Sequence, residues 1–271
     1  MNKKTIIIIC AAIVCIAIVG CALAGVFDGF GQEKVVNDDN TFIVGFDAEF
    51  PPYGYKADNG SYVGFDLDLA QEVAKRNNWT FVAQPIDWDS KDAELQSGSI
   101  DCIWNGFTMN GREKDYTWSD AYIDNKQVIL VKADSNIKSI SDLAGKTVEV
   151  QKDSSAESAL KGDNKTIADT FKALTSVADY NTAIMDLDSG ACDAVAMDEG
   201  VAKYQVNKTN GKYIILNDVI SSEQYGIGFK LGNTALRDQV QLTLLEMAAD
   251  GTIAKIAAKY SEYGIPTSLC L

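Results

Sequence analysis

LQSGSIDCIW (95–104) returns ninety-two residues later as LDSGACDAVA (187–196). Each copy reads as the end of a helix, a glycine C-cap, an aspartate and then a buried strand. A chain that leaves a helix for a strand in so few residues needs a positive φ, which Gly98 and Gly190 supply without a Cβ penalty. Two copies in the same structural context predict two similar α/β lobes. The length agrees, since 271 residues at about 150 per domain give between one and two domains.

Working outward, FIVGF (42–46) reads as a short buried strand. An amphipathic helix follows in which Phe65, Leu69 and Val73 recur at i+4, with Asp66 as its expected cap. Asp66 and Asp68 look like a catalytic carboxylate pair, but at i and i+2 they cannot share a helix face, so both are read as helix capping. WTFVAQPI (79–86) is the next strand, residues 93–97 belong to a short helix, and IDCIWNG (100–106) is a third strand. VILVKA (128–133), KTVEVQ (146–151), a helix over 155–161, DAVAM (193–197) and YIILN (213–217) repeat the alternation. Residues 236–260 form a long helical stretch broken at Gly251. Such alternation predicts right-handed parallel α/β units.

Composition removes whole classes of function. Lys+Arg 24 against Asp+Glu 38 leaves −14, which repels phosphates and argues against any nucleic-acid partner. There is no histidine, so Ser-His-Asp and Cys-His nucleophiles, His-ligated zinc and His proton shuttles are excluded. GxGxxG, P-loop and GxSxG motifs are missing, as is a complete calcium loop. SxxK occurs at Ser135–Lys138 and Ser158–Lys161, but without the KTG and SDN motifs that give it meaning. No catalytic residue, metal ligand set or cofactor is predicted.

The N-terminus sets the compartment. Lys3 and Lys4 precede an uncharged apolar run to Gly20, the pattern of a secretory signal. Ile18-Val19-Gly20-Cys21 resembles a bacterial lipobox. This predicts a signal peptide over 1–20, Cys21 as the lipidated mature N-terminus, and a tether over 21–40. The alternative is an uncleaved anchor, because residues 6–27 carry no charge and about 20 apolar residues span a bilayer. Both put the remainder on the extracytoplasmic face of the cell membrane, which it touches through the anchor only. Cys102, Cys192 and Cys270 remain, an odd number that argues against a disulfide framework. Cys102 and Cys192 read as small buried hydrophobes.

Nine segments in order then resemble one family. They are VGFDAEFPPYGY (44–55), VGFDLDLAQEVAKR (63–76), LQSGSIDCIWNGFT (95–108), Arg112, TWSDAY (117–122), SISDLAGKTVEVQ (139–151), LDSGACDAVAMDEGVAKY (187–204), YGIGF (225–229) and residues 236–260. Together they resemble the solute-binding components of bacterial amino-acid ABC importers, the extracellular solute-binding proteins of family 3. The resemblance implies a two-lobed α/β fold of the periplasmic-binding-protein type (type II), with two hinge strands and the ligand in the cleft between lobes. Lobe 1 is expected at 41–122 and 226–271, lobe 2 at 127–221, and the hinges near 122–126 and 221–225.

By the same resemblance Arg112 holds the ligand carboxylate and Asp198 the ammonium. Phe50 and Trp88 sandwich the ligand, Asp47 meets its side chain, and Gly106 lies close to the ammonium. Backbone N–H groups near Thr108 and at Ser154 and Ser155 complete the anion site. The chemistry is sound, because a buried zwitterion needs a partner for each charge and a guanidinium fork matches a carboxylate. Read without the family, Arg112 is equally a solvated charge in GREKDY, Asp198 a helix cap with Glu199, and Phe50 and Trp88 plain core. Two positions depart from the family pattern. Arg112 stands four positions after Thr108 where five are usual, and Asp153 stands where glycine is common.

The expected function is capture of a free amino acid for an ABC permease driven by an ATPase, by a monomer that makes and breaks no bond. Asp47, Glu49 and Trp88 lean towards a polar or cationic amino acid. The alternatives are a sensor-type ligand-binding domain and a dehydratase-like enzyme of the same fold, which would have to use carboxylates or lysines for acid–base chemistry.

Overall fold

The computed structural model describes Val36 and residues 40–271. The signal peptide, Cys21 and most of the tether lie outside the described residues. Among the described residues, no helix is long and apolar enough to cross a membrane.

β1 (Thr41–Phe46) leads through β2 (Glu49–Phe50), β3 (Gly54–Lys56) and β4 (Tyr62–Val63), a small antiparallel sheet, into α1 (Phe65–Arg76). β5 (Thr80–Pro85), α2 (Lys91–Ser97), β6 (Cys102–Ile103) and β7 (Thr117–Trp118) follow. β8 (Ile123–Lys132) carries the chain into a second sheet with β9 (Thr147–Gln151), α3 (Ser155–Lys161), α4 (Lys165–Ala168), β10 (Ala173–Val177), α5 (Tyr180–Ser189), β11 (Ala194–Asp198) and α6 (Glu199–Lys208). β12 (Tyr213–Tyr225) closes that sheet, and β13 (Gly228–Phe229) returns to the first. α7 (Thr234–Ala249), α8 (Thr252–Ala258) and α9 (Ile265–Ser268) end the chain, with Gly251 at φ 79° between α7 and α8.

The sheet orders are β5-β1-β6-β13-β7 and β10-β9-β11-β8-β12. In each, four strands run one way and one, β13 or β8, runs against both its neighbours, so that three adjacent strands pair in parallel. The expected parallel units therefore account for three strands of each five. The reversed strands are those by which the chain passes between the sheets. β8 and β12 pair antiparallel from Ile123↔Tyr225 to Gln127↔Ser221, so the two connections lie side by side.

The sequence echo is an echo of structure. Gly98 (φ 82°, ψ 15°) and Gly190 (φ 81°, ψ 17°) end α2 and α5 in the same left-handed conformation. Asp101 Oδ2 accepts from Ile43 N at 2.7 Å, and Asp193 Oδ2 accepts from Thr147 N at 2.9 Å. The aspartate's own amide bonds back to the same residue's carbonyl in both lobes. Each aspartate thereby sets the register of the next parallel strand, Val44↔Cys102 in one lobe and Val148↔Ala194 in the other.

The cores follow the apolar spacing. Phe65, Leu69 and Val73 are fully buried with Phe42, Val44 and Phe46, and Cys102 and Cys192 are buried free thiols. Each large apolar side chain contributes about 1.5–3 kcal/mol by leaving water. The capping role expected of Asp66 and Asp68 is not what the structure has. Gly64, at φ 142°, is the N-cap, and a Cβ there would sit 2.2 Å from the Tyr53 carbonyl oxygen. Asp66 lies inside the first turn, buried, with Oδ2 accepting from Gly106 N at 2.6 Å. Asp68 faces outward and pairs with Lys259 Nζ at 2.9 Å.

Candidate functional site

The carboxyl ends of the parallel strands in both sheets point at one place, where open α/β sheets bind ligands. β1 ends one residue before Asp47, β9 ends on Gln151, β11 ends on Asp198, and the loop after β6 carries Gly106, Thr108 and Arg112. Phe50, Trp88, Gly106, Thr108, Arg112, Gln151, Ser154, Ser155 and Asp198 line a small cavity. Eight of the nine residues singled out from sequence face it. The ninth, Asp47, sits behind Gln151, whose Nε2 donates to Asp47 Oδ2 at 2.6 Å.

The short Thr108–Arg112 spacing closes as a turn. Arg112 N donates to Met109 O at 2.9 Å, and Nη1 folds back to Thr108 O at 3.2 Å. Nη2 crosses to Asp153 O at 3.0 Å, and the guanidinium lies 5.4 Å from the centre of the Phe107 ring. The arginine therefore stays at the cavity despite the missing residue, in place of the free surface charge that GREKDY allows.

Asp153 takes φ 58°, the conformation that favours glycine. Its carboxylate is turned onto Lys91 Nζ, and Trp88 Nε1 donates to its carbonyl at 3.4 Å. The acid thus joins the first lobe's α2 to the β9–α3 loop of the second. Lys152 Nζ and Asp89 Oδ2 pair beside it at 2.6 Å.

Ser154 Oγ is the N-cap of α3, accepting from Glu157 N at 3.1 Å. The hydroxyls of Thr108 and Ser155 are engaged too, donating to Glu223 Oε1 at 2.8 and 3.0 Å. Ser154 N is spent on Gln151 O at 3.3 Å, which leaves the backbone N–H groups of Thr108 and Ser155 for an anion.

Asp198 occupies the N-cap position of α6 but makes no side-chain cap bond. Its Oδ1 instead accepts from Tyr225 OH at 2.5 Å, Gln127 Nε2 at 2.7 Å and Asn125 Nδ2 at 2.8 Å. Burial, and then the neighbouring Glu223, push its carboxyl up to about 7 against the pull of those donors. Asp47 is pushed up to about 6, first by burial, with Glu49 N and Gln151 pulling the other way. Glu49, Asp87, Asp89, Glu94 and Asp179 line the cleft that adjoins it.

The aromatics serve both packing and lining. Phe50 lies 5.9 Å from the Tyr180 ring of the second lobe. Trp88 meets Phe107 edge-on at 5.4 Å and belongs to a core with Leu95, Ile100 and Ile103. Gly106 has φ 53°, and a Cβ there would come 2.7 Å from Phe50 Cε1.

Sequence reasoning missed Gln151, Glu223, Asn125, Gln127, Asp66 and Lys91. Gln151 had a signal only as the polar residue that ends β9, TVEVQ. Glu223, Asn125 and Gln127 had none, because only the β8–β12 pairing brings them together.

Residues 42–263 match the bacterial extracellular solute-binding proteins, family 3. The chain is 28% identical over 237 residues to the L-cystine-binding protein TcyJ of Escherichia coli (strain K12), covering 85% of this chain and 87% of that one. Among solved structures it resembles an ABC uptake transporter substrate-binding protein from Streptococcus pneumoniae with bound histidine, at TM-score 0.78 and 30% identity over 82% of this chain and 92% of that one. It also resembles an ancestral arginine-binding protein bound to arginine, at TM-score 0.75 and 38% identity over 82% of this chain and 98% of that one.

Proposed function

This chain belongs to the bacterial extracellular solute-binding proteins, family 3, and we propose that it is the substrate-binding component of an amino-acid ABC importer. It captures a free amino acid between its lobes and presents it to a permease driven by an ATPase. It binds and releases without chemistry, as the family does. Lobe 1 is residues 41–122 and 226–271, lobe 2 is 127–221, and the hinges are the adjoining stretches of β8 and β12. Cys21 carries a lipid that anchors the monomer to the extracytoplasmic face of the membrane.

One observation carries this reading: residues of both lobes enclose a single small cavity with a guanidinium, Arg112, and a buried carboxylate, Asp198, both on its wall. That is the charge pattern a zwitterion needs. Arg112 takes the carboxylate with the backbone N–H groups near Thr108 and Ser155, and Asp198 takes the ammonium beside Gly106. Phe50 and Trp88 flank the ligand, and its side chain extends towards Asp47 and the acidic cleft, which favours a polar or cationic amino acid. Closure removes water from both ion pairs and so strengthens them. Because only the closed arrangement contacts the ligand from both lobes, the ligand selects it.

A thermal-shift screen against all amino acids, cystine and ornithine tests the reading. A ligand at 100 times its Kd adds about 2.7 kcal/mol to stability and raises the melting temperature. No shift with any of them refutes it.

A further inference from the structure

Glu223 stands in the second connecting strand, outside every motif, yet its Oε1 is the most heavily bonded atom near the cavity. It accepts from Thr108 Oγ1 (2.8 Å) in the first lobe, Ser155 Oγ (3.0 Å) in the second, and Asn125 Nδ2 (2.8 Å) and Gln127 Nε2 (2.7 Å) on the neighbouring connecting strand. The same two amides also donate to Asp198 Oδ1. Two buried carboxylates thus sit on shared donors. Every hydrogen bond that reaches either of them comes from a neutral group, Tyr225 and Tyr180 included.

Like charges so placed repel, which a cation between them relieves. Three features point to the cation's form. Asp198 lines the cavity, Glu223 lies one shared amide away, and Gln127 Oε1, fully buried, has no hydrogen-bond partner among the described residues. Three acceptors in one cluster match the three N–H groups of a primary ammonium.

We propose that Glu223 is a second acid of the ammonium site, and that it and Asp198 share one proton which an incoming ammonium group displaces. The proton leaves to solvent. The ammonium N–H groups take over the carboxylate oxygens, and no covalent bond other than O–H changes. An open groove on the outer side of the connecting strands, lined by Glu223, Asn125, Lys126, Glu199 and Lys203, offers the exit. There Lys203 is paired with Glu199 at 3.1 Å. On the cavity side the neighbours are Tyr53, Tyr180 and Tyr225, all buried and raised by burial first, and Arg112, whose guanidinium is held by the Thr108 and Asp153 carbonyls, so none of them takes the proton's place. Burial first, and then Glu223, hold the Asp198 carboxyl up at about 7.

The proposal rests on the amino-acid reading for its ligand, so the test has two arms. The first needs no ligand. The unfolding midpoint of the full chain is followed from about pH 5 to about pH 8 for wild type, Glu223→Gln and Asp198→Asn. Either variant removes one charge of the pair, so wild type loses stability as pH rises through about 7 and both variants lose less. Parallel profiles in all three overturn the shared proton. The second arm is calorimetry with whichever of L-arginine, L-histidine, L-cystine, L-glutamine and the remaining amino acids shifts the wild-type melting temperature. Displacement of one proton makes the wild-type Kd rise about tenfold per pH unit below the pair's midpoint, with proton release measured in buffers of different ionisation enthalpy. Glu223→Gln moves that midpoint down and suppresses the release. Equal proton release in wild type and Glu223→Gln overturns the role of Glu223. If no amino acid binds, the amino-acid reading fails while the first arm still decides the pair.

Discussion

Replacing Asp153 by glycine isolates the contact that holds α2 to the β9–α3 loop. The substitution keeps the backbone carbonyl that Arg112 and Trp88 use and deletes only the carboxylate on Lys91. Lys91 is 1% exposed and Asp153 is 50% exposed, so the pair lies between two regimes. Breaking a buried pair from one side costs about 3–5 kcal/mol, and an exposed pair is worth about 0.2–1 kcal/mol. A half-exposed partner puts the contact at about 1–2 kcal/mol. Within its own lobe the change is close to neutral. Glycine relieves a left-handed residue at φ 58° by about 1 kcal/mol and loses a similar amount through its freer unfolded chain. The pair joins the lobes, so it counts only when they are together. The expected result is an unfolding midpoint near wild type without ligand, and a Kd about 5–30-fold weaker, expressed in the off-rate. Calorimetry and stopped-flow dissociation with the best amino acid from the thermal screen read both. Lys91→Met should give the same loss, and the double variant no more than either single one. A Kd within twofold of wild type for Asp153→Gly, or additive losses in the double variant, refutes the reasoning.

Arg112→Ala should weaken amino-acid binding by about 2–5 kcal/mol, from about 30-fold to several thousand-fold, because it leaves a buried carboxylate unpaired. Unchanged affinity by calorimetry removes the carboxylate role. Gly106→Ala should destabilise the fold by about 1–3 kcal/mol, since its Cβ meets Phe50 and its φ is 53°; an unchanged urea midpoint contradicts the clash. Asp66 is pushed up to about 7 by burial, against the Gly106 N–H, so the folded chain keeps a proton that the unfolded chain releases above about 4. Stability from this group is therefore present at low pH and lost as pH rises towards about 7, and Asp66→Asn should flatten that part of a urea-midpoint profile. Asp101→Ala and Asp193→Ala should each cost about 1–3 kcal/mol by orphaning a strand amide, and their effects should add because they lie in separate lobes.

The echo around Gly98 and Gly190 was legible because it is local chemistry. A left-handed cap, an aspartate three residues on and an apolar strand all lie within ten positions. The helix over 155–161 and the break at Gly251 were legible for the same reason. The resemblance carried residue roles onto positions, and eight of those nine residues meet at the cavity. It did not carry the state of their side chains. Ser154 is occupied as a cap and Thr108 and Ser155 are bonded to Glu223. Asp66 was misread because a carboxylate early in a helix usually caps it, and nothing local shows that Gly106 lies against it.

Sequence alone determined the alternation of elements and the two-lobed plan, since periodicity and glycine caps act over a few residues at a time, and the family resemblance supplied the candidate residues. Tertiary structure alone decided which charges face one another. Asp153 turns to Lys91, Gln151 reaches Asp47, and Glu223 shares its donors with Asp198. These partners stand 62, 104 and 25 residues apart in the chain. Coulomb and desolvation energies depend on distance in space and on the water excluded between groups, and neither is set until the two sheets bring their strand ends together.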